Sequence, residues 1–97
     1  IDWTDEAGRV VGRIRGCNPR PGAYTRWRGG QLKVWTASES KETGEPGCVI
    51  EVRSEGILVA AGEGSVLLTE VQPENKKRMR ASEFARGYRA AAGERLG

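Results

Sequence analysis

The chain reads as a mainly β domain with a helix at each end, and three observations carry that reading. Between residues 23 and 72 several short runs alternate apolar and polar side chains, the period of a half-buried strand. Gly29-Gly30 and Glu55-Gly56 sit between pairs of such runs, where a two-residue turn folds one strand back on the next. At both ends of the chain the apolar spacing changes to three and four, the spacing of one helix face.

The first helix is expected over residues 5–16. Ala7, Val10, Val11 and Ile14 recur at i, i+3, i+4 and i+7, which sets them on one stripe. Thr4 is the candidate N-cap, Asp5 and Glu6 stand in the first turn, and Arg13 and Arg15 lie near the last. Those charges complement the helix dipole. Gly8, Gly12 and Gly16 share a second face, as a seam for another backbone or simply as a weak helix, since an interior glycine costs about 1 kcal/mol against alanine. Asn18-Pro19 stops the helix, because the residue before proline is pushed out of the α region.

From Ala23 the period is two. Strands over 23–28 and 31–37 flank Gly29-Gly30, and the polar stretch 38–47 reads as a loop. Residues 48–54 and 57–61 form a second hairpin about Glu55-Gly56. A fifth strand over 65–72 is reached across Gly62-Glu63-Gly64 and ended by Pro73. A basic loop then leads into a last helix near residues 80–89, with Ala81, Phe84, Ala85 and Tyr88 as its apolar stripe. About five short antiparallel strands with a helix at each end suit a small OB-like Greek-key barrel, closed or nearly so, because closure removes exposed edges. A β-sandwich of the same strands is the alternative.

Ninety-seven residues make one domain, 1–97, with room for a small core only. Hydrophobic residues at 37% and charged residues at 30% suit a globular fold and exclude a disordered tail. No apolar run approaches the ~18 residues of a membrane span, and no secretory leader is visible. The chain starts at Ile1 and its only methionine is Met79, so it is expected to be a piece of something longer. With no histidine, Cys17 and Cys48 cannot build a structural zinc site. They read as reduced, buried small hydrophobes, with a disulfide as the alternative, and a cytoplasmic location follows. The net charge of +3 is mild, but Lys76, Lys77, Arg78 and Arg80 fall within five residues.

If Gly29-Gly30 is the whole loop, residues whose numbers sum to 59 lie opposite one another. Trp27 then faces Leu32, Thr25 faces Val34 and Ala23 faces Thr36, a mostly apolar side that should point inward. The other side carries Tyr24 opposite Trp35, Arg26 opposite Lys33 and Arg28 opposite Gln31. Like charges directly opposed are unfavourable, and a polyanion would relieve them. Aromatic rings beside cations are what single-stranded RNA uses for stacking and phosphate contact. The other reading has Tyr24 and Trp35 under a terminal helix, with the cations merely solvated. The Lys76–Arg80 run enters the last helix, where backbone N–H groups also favour phosphate, and Met79 is expected to tuck inward between the cations.

Catalytic chemistry is not legible. Without histidine there is no triad partner, and neither Gly29-Gly30 nor Gly62-Glu63-Gly64 joins a strand to a helix as a phosphate-binding loop does. Glu51 and Glu70 lie on strands with nothing to pair them, and Ser82 belongs to the opening turn of the last helix.

A resemblance now enters, carried by Ile1-Asp-Trp-Thr4, Ile14-Arg15, Asn18-Pro19, Pro21-Gly-Ala-Tyr-Thr25, Gly30-Gln-Leu-Lys-Val-Trp35, Gly56-Ile-Leu-Val59, Leu67-Leu-Thr-Glu70, Lys76-Lys-Arg-Met79, Glu83-Phe84, Gly87 and Gly93-Glu-Arg-Leu-Gly97. In that order the chain resembles the C-terminal domain of methionyl-tRNA formyltransferases. The resemblance implies an OB-like barrel following a catalytic domain that moves a formyl group from 10-formyltetrahydrofolate to methionyl initiator tRNA. It implies that the barrel holds tRNA through basic residues, and that the cofactor and the catalytic Asn, His and Asp belong to the other domain. On this reading no residue here is catalytic, cofactor-binding or metal-ligating. The candidate RNA contacts are Arg13, Arg15, Arg20, Tyr24, Arg26, Arg28, Lys33, Trp35, Lys76, Lys77, Arg78 and Arg80. Arg20 stands between two prolines where the family commonly has an aromatic residue. Related barrels follow sugar-nucleotide and folate formyltransferases, so a structural buttress with no RNA role is the alternative.

Overall fold

The computed structural model describes all of residues 1–97 and is mainly β. The elements are α1 (Ala7–Cys17), β1 (Ala23–Trp27), β2 (Gly30–Ser40), β3 (Val49–Val52), β4 (Ile57–Ala60), β5 (Ser65–Pro73), β6 (Met79–Arg80) and α2 (Ala81–Tyr88).

Helix α1 buries Ala7, Val10, Val11 and Ile14, the stripe its periodicity predicts. Its start differs from expectation. Glu6 is the N-cap residue without a side-chain cap, and Thr4 instead donates its hydroxyl to the Asp2 carboxylate at 2.6 Å. The Ala7 N–H is satisfied by the Glu63 carbonyl at 2.8 Å, so the connection before β5 does the work of a cap. A Cβ added at Gly12 or Gly16 would meet nothing within 4 Å, and one at Gly8 would meet only the Glu39 side chain. The glycine face is therefore a weak helix surface and no backbone packs on it. Asn18 is extended at φ −93 and ψ 146, as Pro19 requires. Its side-chain amide donates to the carbonyls of Ile14 at 2.7 Å and Val34 at 3.0 Å. The Asn18-Pro19 and Arg20-Pro21 bonds are both cis.

The first turn is Arg28-Gly29, one residue earlier than expected. Both residues have positive φ, 49 and 80, which a primed two-residue hairpin turn demands. Trp27 pairs with Gly30, Thr25 with Leu32 and Ala23 with Val34. The register is thus two residues from the expected one, and because strand faces alternate with period two, the inward set survives. Ala23, Thr25, Leu32 and Val34 are buried. The second turn also moves by one, since Arg53 and Gly56 exchange backbone hydrogen bonds around Ser54-Glu55.

All strands pair antiparallel in the order β1-β2-β5-β4-β3, with β6 on β5. The meander β3-β4-β5 with β2 returning beside β5 is a Greek key. Strand β2 runs three residues past its expected end, because Ser38, Glu39 and Ser40 pair with Leu67, Val66 and Ser65. The sixth strand, too short to be legible in sequence, pairs Arg80 with Glu70 and Met79 with Val71.

The expected barrel closure is not made by strand pairing: β1 and β3 end the sheet and do not pair. Residues 93–97 take that place as an irregular strap. Val49 N–H donates to the Glu94 carbonyl, Gly93 N–H to Val49, Leu96 N–H to Gly47 and Gly97 N–H to Arg26, at 2.7–2.8 Å. One segment that forms no strand of its own, only a single antiparallel bridge from Arg95 to Cys48, thereby covers the edges of both outer strands.

Both helix stripes except Tyr88 join the inward strand residues in a core of 19 buried residues, with Tyr88 half-buried against it and Met79 packed there as expected. Trp27, Phe84 and Tyr88 form an aromatic group with ring centroids 4.7–5.2 Å apart. Cys17 and Cys48 are free thiols, half-buried where full burial was expected. No helix is long and apolar enough to cross a membrane.

Candidate nucleic-acid interface

Two compensating bulges shape the outer face of β2 and β5. Val34 pairs with Val71, Thr36 with Glu70 and Ala37 with Leu68. Trp35 is therefore the extra residue on β2, and Thr69 the extra residue on β5 one step later. A bulge bends its strand and re-aims side chains. The result brings Trp35, Thr36, Thr69 and Glu70 together, with the two threonine hydroxyls 2.6 Å apart.

Trp35 is the hub of the face. Lys33 Nζ lies 3.9 Å from its ring centroid and Arg78 Cζ lies 4.4 Å away, both within cation–π range. The indole N–H donates to Gln72 Oε1 at 2.9 Å, and Gln72 Nε2 donates to the Lys76 carbonyl at 2.9 Å. Lys33 Nζ also donates to the Pro19 carbonyl at 3.0 Å and stands 5.9 Å from the Tyr24 ring centroid. Three segments distant in sequence, the Pro19–Pro21 turn, β2 and the loop after β5, thus meet at one indole.

Arg78 pairs with Glu70 through two of its three donor nitrogens, Nη2 at 2.8 Å and Nε at 3.2 Å. That guanidinium, helped by the Thr36 hydroxyl, holds the Glu70 carboxyl below its usual range. Glu51, the other strand carboxylate, pairs with Arg53 instead, so the two carboxylates do not meet.

The expected faces hold for Tyr24, Arg26, Lys33 and Trp35 but not for Thr36. Thr36 was expected inward opposite Ala23 and is turned by the bulge to Thr69 and Glu70 on the outer face. None of the expected cross-strand pairs is made. Tyr24 stands opposite Lys33 and Arg26 opposite Gln31. No like-charge pair crosses the hairpin, so no strain there calls for a polyanion. The alternative reading, with a terminal helix over Tyr24 and Trp35, is not what the structure shows. Helix α1 buries its stripe in the core, and Tyr24 on the outer side is 37% exposed while Trp35 is half-buried.

The other candidate residues separate into three groups. Arg20, Arg26, Lys76, Lys77 and Arg80 are exposed, and like Lys33 they make no salt bridge. Arg13 and Arg15 are exposed on α1, with nothing tying them to the Trp35 hub. Arg28 is committed elsewhere: it donates twice to Glu94 at 2.8 and 2.9 Å, to the Tyr88 carbonyl at 2.8 Å and to the Arg89 carbonyl at 3.3 Å, and lies 4.2 Å over Trp27. It fastens the end of α2 and the strap to the first hairpin. Gln72 and Glu70 organise the face and were missed in the sequence. Only the Lys33–Gln72 pairing of β2 with β5 brings Gln72 beside the indole, and no local pattern announces a pairing of that span.

Residues 1–89 match the family described as formyl transferase, C-terminal domain. Over the full chain the sequence is 46% identical to the methionyl-tRNA formyltransferase of Geobacter sulfurreducens and 45% identical to that of Bacillus subtilis. It covers 31% and 32% of those proteins, so the chain spans about a third of their length. Among solved structures, HypX from Aquifex aeolicus in complex with tetrahydrofolic acid carries the same fold. The TM-score is 0.80 at 20% identity, over 97% of this chain and 17% of HypX.

Proposed function

The chain belongs to the formyl transferase C-terminal domain family, and from that membership we propose that it is the RNA-holding accessory domain of a methionyl-tRNA formyltransferase. The observation that carries the reading is the outer face built on Trp35. Lys33 and Arg78 stack on one indole, Lys76 and Lys77 stand free beside them, and Tyr24 and Arg26 extend the face along β1. Such a face grips an RNA backbone by charge and carries little sequence information. Formyl transfer from 10-formyltetrahydrofolate, the cofactor of that reading, would be the work of the preceding catalytic domain, in the cytoplasm. This domain would contribute no catalytic residue and would raise the local concentration of the initiator tRNA acceptor end.

The roles within the face are unequal. Lys76 and Lys77, free of partners, are the principal phosphate contacts, with Lys33, Arg26, Arg20 and Arg80 around them. Arg78 would have to exchange Glu70 for phosphate. Arg28 contributes least, because its donors are already used within the protein.

Fluorescence anisotropy of the domain with labelled initiator tRNA, across a salt series and beside an elongator tRNA, tests the proposal. Each neutralised phosphate adds about 0.9 to the salt slope on a duplex, so Lys76→Glu with Lys77→Glu should weaken binding and reduce the slope by about 2. Equal binding of the two tRNAs would place discrimination in the catalytic domain. Absence of binding at low salt, or an unchanged slope in the double variant, would sink the RNA-holding role and favour a structural buttress beside a small-molecule formyltransferase.

A further inference from the structure

A second feature of this face is a cleft between the first hairpin and the loop after β5, with Tyr24, Gln31, Lys33, Glu74 and Asn75 among its lining residues. Its chemistry differs from that of the Trp35 hub. The Tyr24 ring rests on Gly22, where an added Cβ would sit 2.9 Å from the ring and 3.0 Å from the hydroxyl. Gly22 has φ +97, so the seat of the ring depends on a residue with no side chain. The ring remains more than a third exposed. Trp35, by contrast, already carries two cations on its indole. Tyr24 is thus the ring on this face with surface to offer a ligand.

The polar groups of the cleft suit a base and not a phosphate. The side-chain amides of Gln31 and Asn75 are exposed and have no partner within the protein. The Glu74 carboxylate lies at the same end, accepting from the Gln31 backbone N–H at 3.3 Å, and would repel an anion placed there. Positive charge is at the other end, where Lys33 Nζ stands 5.9 Å from the Tyr24 centroid. An aromatic platform, amide donors and acceptors at one end and a cation at the other are what an unstacked nucleotide presents partners for.

We propose that this cleft receives a single unpaired nucleobase of the bound RNA, stacked on Tyr24, with its polar edge on Gln31 and Asn75 and its phosphate on Lys33. The proposal rests on the RNA-holding reading and adds which part of the RNA is held. It makes the domain selective for exposed loop or end nucleotides, although the charges around it are indifferent to sequence.

The test compares a single-stranded RNA with a duplex of the same length, by anisotropy at fixed salt, for the wild type, Tyr24→Phe, Tyr24→Ala and a Gln31→Ala, Asn75→Gly double variant. Asn75 has φ 63, so glycine removes its amide without straining the backbone. Tyr24→Ala should weaken single-strand binding about five- to 150-fold, the range of one base–aromatic stack, with the salt slope unchanged and a far smaller loss on the duplex. Tyr24→Phe should keep most of the affinity, and the double variant should lose several-fold. The double variant lies outside the core and reads the pocket even if Tyr24→Ala perturbs folding, which circular dichroism would reveal. Undiminished single-strand binding by Tyr24→Ala and by the double variant overturns the pocket. If Lys76→Glu with Lys77→Glu still weakens binding in that case, RNA holding stands without it. A wild type that binds neither RNA at low salt overturns both.

Discussion

Arg28 and Glu94 show how one pair of side chains decides what a turn cation does. Arg28 stands at φ 49 in a hairpin turn and reaches Glu94 and two carbonyls at the end of α2. The Arg28 guanidinium holds the Glu94 carboxyl below its usual value of 4.5, aided by the Ala91 N–H. A depressed carboxylate stabilises the fold above its unfolded pKa and loses that contribution as pH falls through the folded one. Urea midpoints of wild type and Glu94→Gln should therefore differ most above pH 4.5 and converge as the pH drops below it. Glycines give a second contrast at this scale. A Cβ at Gly12 meets nothing within 4 Å, whereas one at Gly62 would lie 1.8 Å from the Thr4 carbonyl oxygen. Gly12→Ala should stabilise by about 0.5–1 kcal/mol through helix propensity. Gly62→Ala should cost about 1–3 kcal/mol, since backbone must move. Chemical denaturation of the two single variants gives both signs.

Among the elements, α2 and β2 carry the most. Helix α2 has eight residues, too few to be stable alone, and is held by Ala81, Phe84 and Ala85 buried in the common core. Phe84 is 1% exposed and packs edge-on to Trp27 at 4.8 Å. Phe84→Ala should lose about 3–5 kcal/mol, read as a fall in the urea midpoint with loss of near-ultraviolet circular dichroism from Trp27. Strand β2 pairs with β1 on one side and β5 on the other, and its bulge at Trp35 is where the outer face acquires its geometry. The indole, Gln72 and the Lys76 carbonyl then connect β2 to the basic loop. Exposed cations on a free loop would sample many arrangements, and this chain of contacts restricts them.

At the scale of the whole molecule, the strap at 93–97 stands where closure of the sheet would otherwise be needed. It satisfies backbone groups on β3 and β1 and buries Leu96 to 4% exposure. Removal of residues 93–97 should expose two sheet edges and an apolar site at once. Unpaired edges template association, so the truncated chain should show a lower urea midpoint and concentration-dependent oligomers by size-exclusion chromatography. A truncated chain that stays monomeric with an unchanged midpoint would mean that the strap contributes nothing to closure.

The fold class, both helix stripes and the inward face of the first hairpin were legible from residue order alone, because each depends on a local period that survives small errors of position. The hairpin turn lay one residue from its expected place, yet Ala23, Thr25, Leu32 and Val34 still point inward, since a two-residue change of register preserves the face. The cations and the aromatic pair of the candidate interface were legible for the same reason. Which cations are free depends on contacts made in the folded molecule. Arg28 is bound to a glutamate 66 positions away, Arg78 is held by Glu70, and Lys33 stacks on Trp35. Closure by an irregular strap, the paired bulges at Trp35 and Thr69, and the place of Gln72 beside the indole were likewise invisible. These depend on contacts between segments far apart in the chain, whose geometry comes from packing the whole sheet, and no local pattern of residue types encodes them.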